Sequence, residues 1–268
     1  MDYRNGIILV LCILVFAAEY DRLQSYPASI KNYYGDVPAR PILGFYNGLI
    51  RLHSLTHPSI MYDVGNWFPR HTILRNNWKL IANEIVNIRK EYELPKMHDL
   101  VKTFDRISDD KWSVFVVKWY DKPSESNCKL APYTCSLLDQ LPEIRACMFS
   151  ILEPGKFIPP HKGPYKGSLR YHLGLQIPKS GDCYIQVEDI KYYWKEGEDI
   201  IFDDTYKHCV YNNSNETRIV LFCDVDRPMV GPMNVLNKAL NNNAPLNSWV
   251  KAINQNGEKV SKIDSVNH

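Results

Sequence analysis

After Trp112 the hydrophobic pattern of this chain switches from helical spacing to a period of two. It holds that period in seven short runs: 112–119, around 147–152, 167–177, 183–188, 199–203, 207–211 and 217–225. Alternation of this kind belongs to strands. Turn formers separate most of the runs, at Pro154-Gly155, Pro178 to Gly181, Glu196-Gly197 and Asn212 to Asn215. So many short strands can bury one face and manage their edges in few ways. The expected fold is therefore mainly β with flanking helices, a sandwich or jelly roll. An aromatic content of 12%, led by 17 Tyr, suits such an interior. Ahead of the strands, Leu74, Trp78, Ile81, Ile85 and Ile88 recur at four-three-four-three spacing, which predicts a helix with one core-facing stripe. Asn76, Asn77, Lys79, Asn83 and Glu84 take its other side, and Leu94-Pro95 ends it.

The amino terminus has a different character. Arg4 precedes an apolar run from Ile7 to Ala18, which suits a secretory signal and falls short of the ~20 residues of a membrane span. Cleavage near Ala17-Ala18 and retention as a short membrane anchor through residues 7–18 are both compatible with this pattern, and either predicts entry into the secretory pathway, to the endoplasmic reticulum lumen or its membrane. Six of the seven Cys lie beyond this run, an even number that permits disulfides in an oxidising compartment. Cys128 and Cys135 bracket a short loop that Pro132 pre-bends, so they form either a local bridge or a pair of packed thiols. Asn212 and Asn215 begin glycosylation sequons. Residues 19–68, with scattered prolines, read as an irregular lead-in, and residues 231–268 as an Asn-rich peripheral tail. With 32 Lys and Arg against 30 Asp and Glu, no strongly basic face points to a nucleic-acid partner.

Chemistry concentrates between Ser150 and Pro228. Along 167–177, Leu169, Tyr171, Leu173, Leu175 and Ile177 share one face, while Ser168, Arg170, His172, Gly174 and Gln176 share the other. A polar Arg-x-His face behind an apolar one suggests a lined cavity, a solvated sheet face being the plainer alternative. His161 follows Pro159-Pro160, His208 begins another run, and Arg218 opens an apolar one ten residues later. Imidazoles suit Fe(II), and a buried guanidinium suits a carboxylate. His53, His57, His71 and His98 form no comparable constellation.

These stretches resemble the aspartyl/asparaginyl β-hydroxylases. The resemblance runs roughly from Trp67 to Pro228, so that 69–230 reads as the oxygenase domain. It is densest at Pro160 to Pro164, Leu169 to Leu175, Trp194 to Gly197, Phe202 to His208 and Arg218 to Asp224. It implies a double-stranded β-helix core, cupin-like in architecture, and a dioxygenase using Fe(II), 2-oxoglutarate and O2. It further implies His161 and His208 as the metal ligands and Ser150, Arg170, His172 and Arg218 as 2-oxoglutarate contacts, with Arg218 on the distal carboxylate. By the same resemblance Cys128 and Cys135 form a disulfide near the substrate-binding face. Oxygenases of the wider class use two His and one carboxylate, the latter two residues after the first His. Here that position is Gly163, and the β-hydroxylases also lack the carboxylate. Asp203 and Asp204 are expected to cap turns and not to bind metal. The implied substrate is an Asp or Asn β-carbon in a polypeptide, disulfide-containing EGF-like domains being a candidate. The alternatives are a lipid acyl-chain hydroxylase and an inactive protein-binding member. The Cys128–Cys135 loop and the upstream helix favour the polypeptide, and the intact His, His and Arg set favours activity.

Overall fold

The computed structural model describes residues 6–9, 12–13, 15–17, 39–100, 105, 107–120, 122–179, 182–243 and 248–263. The expected cleavage point at Ala18, and residues 19–38 of the lead-in, lie outside them. Helices α1 (Ala39–His53), α2 (Val64–Trp67), α3 (Thr72–Arg75) and α4 (Trp78–Glu91) come first, with the short strands β1 (Ile60–Met61) and β2 (Tyr92–Glu93) among them. After helix α5 (Met97–Leu100) come strands β3 (Trp112–Trp119) and β4 (Lys122–Pro123), then helices α6 (Glu125–Leu130) and α7 (Pro132–Leu138). Eight strands follow without a helix: β5 (Ile144–Leu152), β6 (Phe157–His161), β7 (Ser168–Gln176), β8 (Cys183–Val187), β9 (Ile190–Tyr193), β10 (Asp199–Phe202), β11 (His208–Asn212) and β12 (Arg218–Asp226). Helices α8 (Pro232–Asn243) and α9 (Ser248–Gly257) and strand β13 (Ser261–Lys262) close the chain.

The eight central strands build a double-stranded β-helix. One sheet has the order β1-β10-β7-β12-β5-β3-β4 and the other β6-β11-β8-β9. From β5 to β12 the chain crosses between sheets at every step except the β8–β9 hairpin, the jelly-roll path. Strand alternation then divides the core in two. Leu169, Tyr171, Leu173 and Leu175 of β7 join Phe149, Leu221 and the α4 stripe Ile81, Ile85 and Ile88 on the outer face of the larger sheet. The opposite face holds Val114, Met148, Ile200, Phe202 and Val220, packed on Ile158, Ile185, Val187 and Val210 of the smaller sheet. Arg170, His172 and Arg218 alternate onto this inner side, between the sheets.

The expected helix is broken. Asn76 and Asn77 interrupt it between α3 and α4, where the Asn77 side-chain amide donates to the Ile73 carbonyl (2.9 Å). Competition of this kind from an Asn side chain disfavours helix interiors. Two further expectations need correcting. The lead-in is not irregular throughout, because 39–53 form α1. The tail is not peripheral, because Val250 and Ile253 of α9 are buried in the inner cluster and β13 pairs with β2. The Asn212 sequon is also closed: Asn212 is fully buried, and its amide donates to the Leu152, Glu153 and Glu216 carbonyls. Cys128 and Cys135 are bridged between α6 and α7. These helices adjoin the β3–β4 edge, separated from β7 within the sheet by β5 and β12.

Candidate active site

β6 and β11 are antiparallel neighbours, and their register sets His161 directly opposite His208. The two rings lie 4.1 Å apart between centroids. Each is fixed in the same way, His161 Nδ1 to the Pro159 carbonyl (2.8 Å) and His208 Nδ1 to the Tyr206 carbonyl (2.9 Å). A carbonyl only accepts, so each Nδ1 carries the proton and each Nε2 keeps its lone pair for a metal. Burial, followed by the nearby His208, depresses His161 to about 3. Burial likewise takes His208 to about 4. Both are neutral near pH 7, as metal-ligating imidazoles must be.

A carboxylate does stand near this pair, on another strand connection. A Cβ on Gly163 would lie 2.0 Å from Asp204 Oδ2, so the Asp204 carboxylate occupies the space a side chain at 163 would need. That carboxylate receives Arg170 Nε (3.0 Å) and Nη2 (2.9 Å), while Arg170 Nη1 reaches Asp224 (2.5 Å). The Arg170 guanidinium also covers the Phe222 ring at 4.5 Å. Burial raises Asp224 to about 6, partly offset by Arg170. Asp204 is thus a partner of Arg170 and not the turn cap expected from sequence. Asp203 does cap, accepting from Thr205 N (3.0 Å) and Oγ1 (2.6 Å), and it also pairs with Arg227. Among the described residues no group of three or more His, Cys, Asp or Glu is placed to hold a metal. Arg170 shares the inner face with His172 as the alternation predicted, but its nitrogens are directed at two carboxylates.

Deeper between the sheets, Arg218 is 1% exposed. Its Nη1 donates to the Ser150 carbonyl (3.1 Å) and approaches Ser150 Oγ (3.4 Å), which also accepts from Trp112 Nε1 (3.1 Å). The guanidinium sits 4.8 Å from the Trp194 ring centroid, and the Cys183 thiol lies beside it. Burial lowers Arg218 to about 10, still cationic near pH 7. Its Nε has no protein partner, nor has Trp194 Nε1 or either ring nitrogen of His172, all of them buried. His172 packs among Trp194, Phe202 and Phe222, and burial, then the Arg218 charge, holds it well below the usual range. Buried donors left unpaired around a desolvated cation form a cradle for an anion. A dicarboxylate bound at Arg218 and reaching toward the His pair fits this donor set, and two neutral imidazoles fit Fe(II).

The structure therefore brings Ser150, His172 and Arg218 together between the sheets, and the Phe202 ring packs against both His172 and His208, the partner of His161. Sequence reasoning missed Trp112, Trp194 and Cys183 as lining, and the Asp204–Arg170–Asp224 chain. It also missed His71, whose Nδ1 meets Asp199 (2.6 Å), the carboxylate that accepts from the Tyr171 hydroxyl (3.0 Å). Only Trp194 had a signal, inside the Trp194-Lys195-Glu196-Gly197 stretch.

The family model for aspartyl/asparaginyl β-hydroxylase matches residues 75–228. The chain belongs to that family. It is 35% identical over 205 residues to an ornithine lipid ester-linked acyl 2-hydroxylase of Rhizobium tropici, covering 75% of this chain and 72% of that protein. It is also 35% identical over 181 residues to the human aspartyl/asparaginyl β-hydroxylase, covering 62% of this chain but only 23% of that protein. Among solved structures, a cupin domain of an XRE-family regulator from Enterobacter cloacae overlays 44% of this chain and all of its own, with TM-score 0.32 and 11% identity. The family assignment makes the chain a hydroxylase-type enzyme on a jelly-roll scaffold.

Proposed function

We propose that this family member is an Fe(II)- and 2-oxoglutarate-dependent dioxygenase. The observation that carries the reading is the buried Arg218, its Nε unpartnered, beside the unpartnered ring of His172 and behind the His161–His208 pair. Fe(II), 2-oxoglutarate and O2 supply oxidative decarboxylation to succinate and CO2, coupled to hydroxylation of an unactivated C–H bond. The chain's own residues then have separate tasks. Arg218 and Ser150 hold the distal carboxylate, Trp194 and Trp112 exclude water from it, and His172 offers a neutral N–H. His161 and His208 present Nε2, held in orientation by their backbone acceptors. Arg170 is locked by Asp204 and Asp224, and this lock positions the inner face of β7. Succinate release from 2-oxoglutarate by the purified protein with Fe(II) tests the reading.

For the acceptor, we infer the acyl chain of a membrane lipid. The match to a lipid acyl hydroxylase extends over most of both chains, which supports this acceptor, whereas the match to the human protein hydroxylase spans under a quarter of that protein. Residues 7–18 would serve as the route to the membrane, through the secretory pathway. A second reading, β-hydroxylation of Asp or Asn in an EGF-like polypeptide, is favoured by the Cys128–Cys135 bridge. Mass spectrometry for a gain of one oxygen, on a lipid extract and on a cysteine-rich EGF-like peptide in parallel, separates the two.

A further inference from the structure

Helix α1 lies outside the residues matched by the family model, and it builds a surface of its own. Phe45, Leu52 and Leu55 stand about half exposed along and just beyond it, as do Ile7, Ile8, Leu9 and Ile13 near the amino terminus. Phe16 stacks on Phe45, with centroids 5.1 Å apart, and lies close over Gly48, so the two apolar stretches are continuous. Among the described residues no helix is long and apolar enough to cross a membrane. A patch of exposed apolar side chains of this kind has the character of an interfacial surface.

Beside it opens a cavity of roughly 460 Å³, lined on one side by α1 and on the other by the loops next to the His pair. Four cationic side chains, Arg51, Lys162, Lys166 and Arg227, face two carboxylates, Glu188 and Asp203. Asp203 is committed to Arg227 and Lys166, and Glu188 accepts from the Lys207 backbone amide. The lining is therefore net positive, and two of its cations, Lys166 and Arg227, are buried. Lys162 follows His161 directly, and Tyr206, whose carbonyl fixes His208, forms part of the wall. The cavity thus adjoins the segments that carry the candidate metal ligands, through Lys162 and Tyr206.

We propose that this face docks on an anionic membrane, with those exposed apolar side chains in the lipid layer and the cavity receiving the phosphate of a lipid headgroup. The chemistry is complementary at both levels: apolar side chains meet acyl chains, and a net positive cavity at the same edge meets the headgroup layer. A headgroup seated there would start its acyl chains beside the loops that carry His161 and His208. The proposal deepens the lipid reading of the acceptor and rests on it for the substrate class.

Flotation of the full chain with vesicles, without Fe(II) or 2-oxoglutarate, tests the docking separately from the chemistry. Vesicles of phosphatidylcholine alone report the apolar contribution, and vesicles containing phosphatidylglycerol add the charge. The expected result is binding at least about tenfold tighter with phosphatidylglycerol, a gain removed by Arg51→Glu combined with Lys162→Glu. Leu52→Ser with Leu55→Ser, both at exposed positions, should weaken binding to both vesicle types. Calorimetry provides the second arm: short-chain phosphatidylglycerol below its micelle concentration should bind, and inorganic phosphate should bind at least about tenfold more weakly. Equal affinity for the two vesicle types, or for the lipid and inorganic phosphate, overturns the proposal. A docking failure with intact succinate release leaves the dioxygenase reading standing, and the reverse result leaves the docking standing.

Discussion

The Asp204 carboxylate fills the space that a side chain at Gly163 would require, with a Cβ there only 2.0 Å from its Oδ2. By the resemblance, Gly163 stands where the wider oxygenase class carries its metal-binding carboxylate, and here the neighbouring volume belongs to an acid whose Oδ2 accepts from both Nε and Nη2 of Arg170. Gly163→Ala should therefore displace Asp204 or the loop after His161. The expected cost is about 1–3 kcal/mol of stability, together with weaker Fe(II) binding. Thermal unfolding and Fe(II) titration measure both, and an unchanged Fe(II) affinity would show that Asp204 yields freely.

Asp203 gives a pH signature. Burial alone would raise its pKa, but Arg227, Lys166 and the Thr205 hydrogen bond outweigh burial and leave it at about 2. A carboxylate depressed in the folded state stabilises the protein above its unfolded value near 3.8, and that stabilisation is lost as the pH falls through about 2. Asp203→Asn should therefore cost about 2 kcal/mol or more at pH 7. The deficit should shrink between pH 4 and pH 2, as denaturant titrations at several pH values would show. The variant should still bind metal, whereas His208→Ala should abolish succinate production. A deficit constant with pH, or metal loss in Asp203→Asn, contradicts the assignment.

Asn47 ties α1 to the loop after His161. Fully buried, it donates to the Pro164 carbonyl (2.8 Å) and accepts from the Lys166 amide (3.0 Å). Asn47→Ala leaves both loop groups unsatisfied, a cost of about 1–3 kcal/mol. Its distinguishing effect should be a raised Fe(II) dissociation constant with little change in the Michaelis constant for 2-oxoglutarate, because the Arg218 pocket lies on other strands. Equal losses at both sites would mean that Asn47 supports the fold generally.

The parts of this molecule that strand alternation governs were legible in the sequence. Period two placed Arg170 and His172 on one face of β7 and the Leu/Tyr series on the other, and the structure has both. Elements that break local rules were not legible. β6 was missed because Pro159 and Pro160 cannot donate to a ladder, and the strand survives as the edge of its sheet. Helix α1 was obscured by Pro41, which sits in its first turn, where a missing N–H costs nothing. The Arg170 pairings with Asp204 and Asp224 join residues 34 and 54 apart in sequence, and the pairing of β7 with β10 and β12 brings them together. Asn-rich α9 has weak intrinsic propensity but is held by the burial of Val250 and Ile253.

The dependence of succinate formation on 2-oxoglutarate concentration, in the wild type and in Arg218→Ala, tests the central claim most directly. The buried guanidinium has an unpaired Nε, and in the proposed reading its removal would take away the partner of the distal carboxylate. The expected result is an apparent Michaelis constant raised at least tenfold, about 1.4 kcal/mol or more. Arg218→Lys should recover only part, because an ammonium lacks the planar fork. An unchanged dependence in Arg218→Ala would contradict the cosubstrate assignment and, with it, the reading of this pocket as a dioxygenase site.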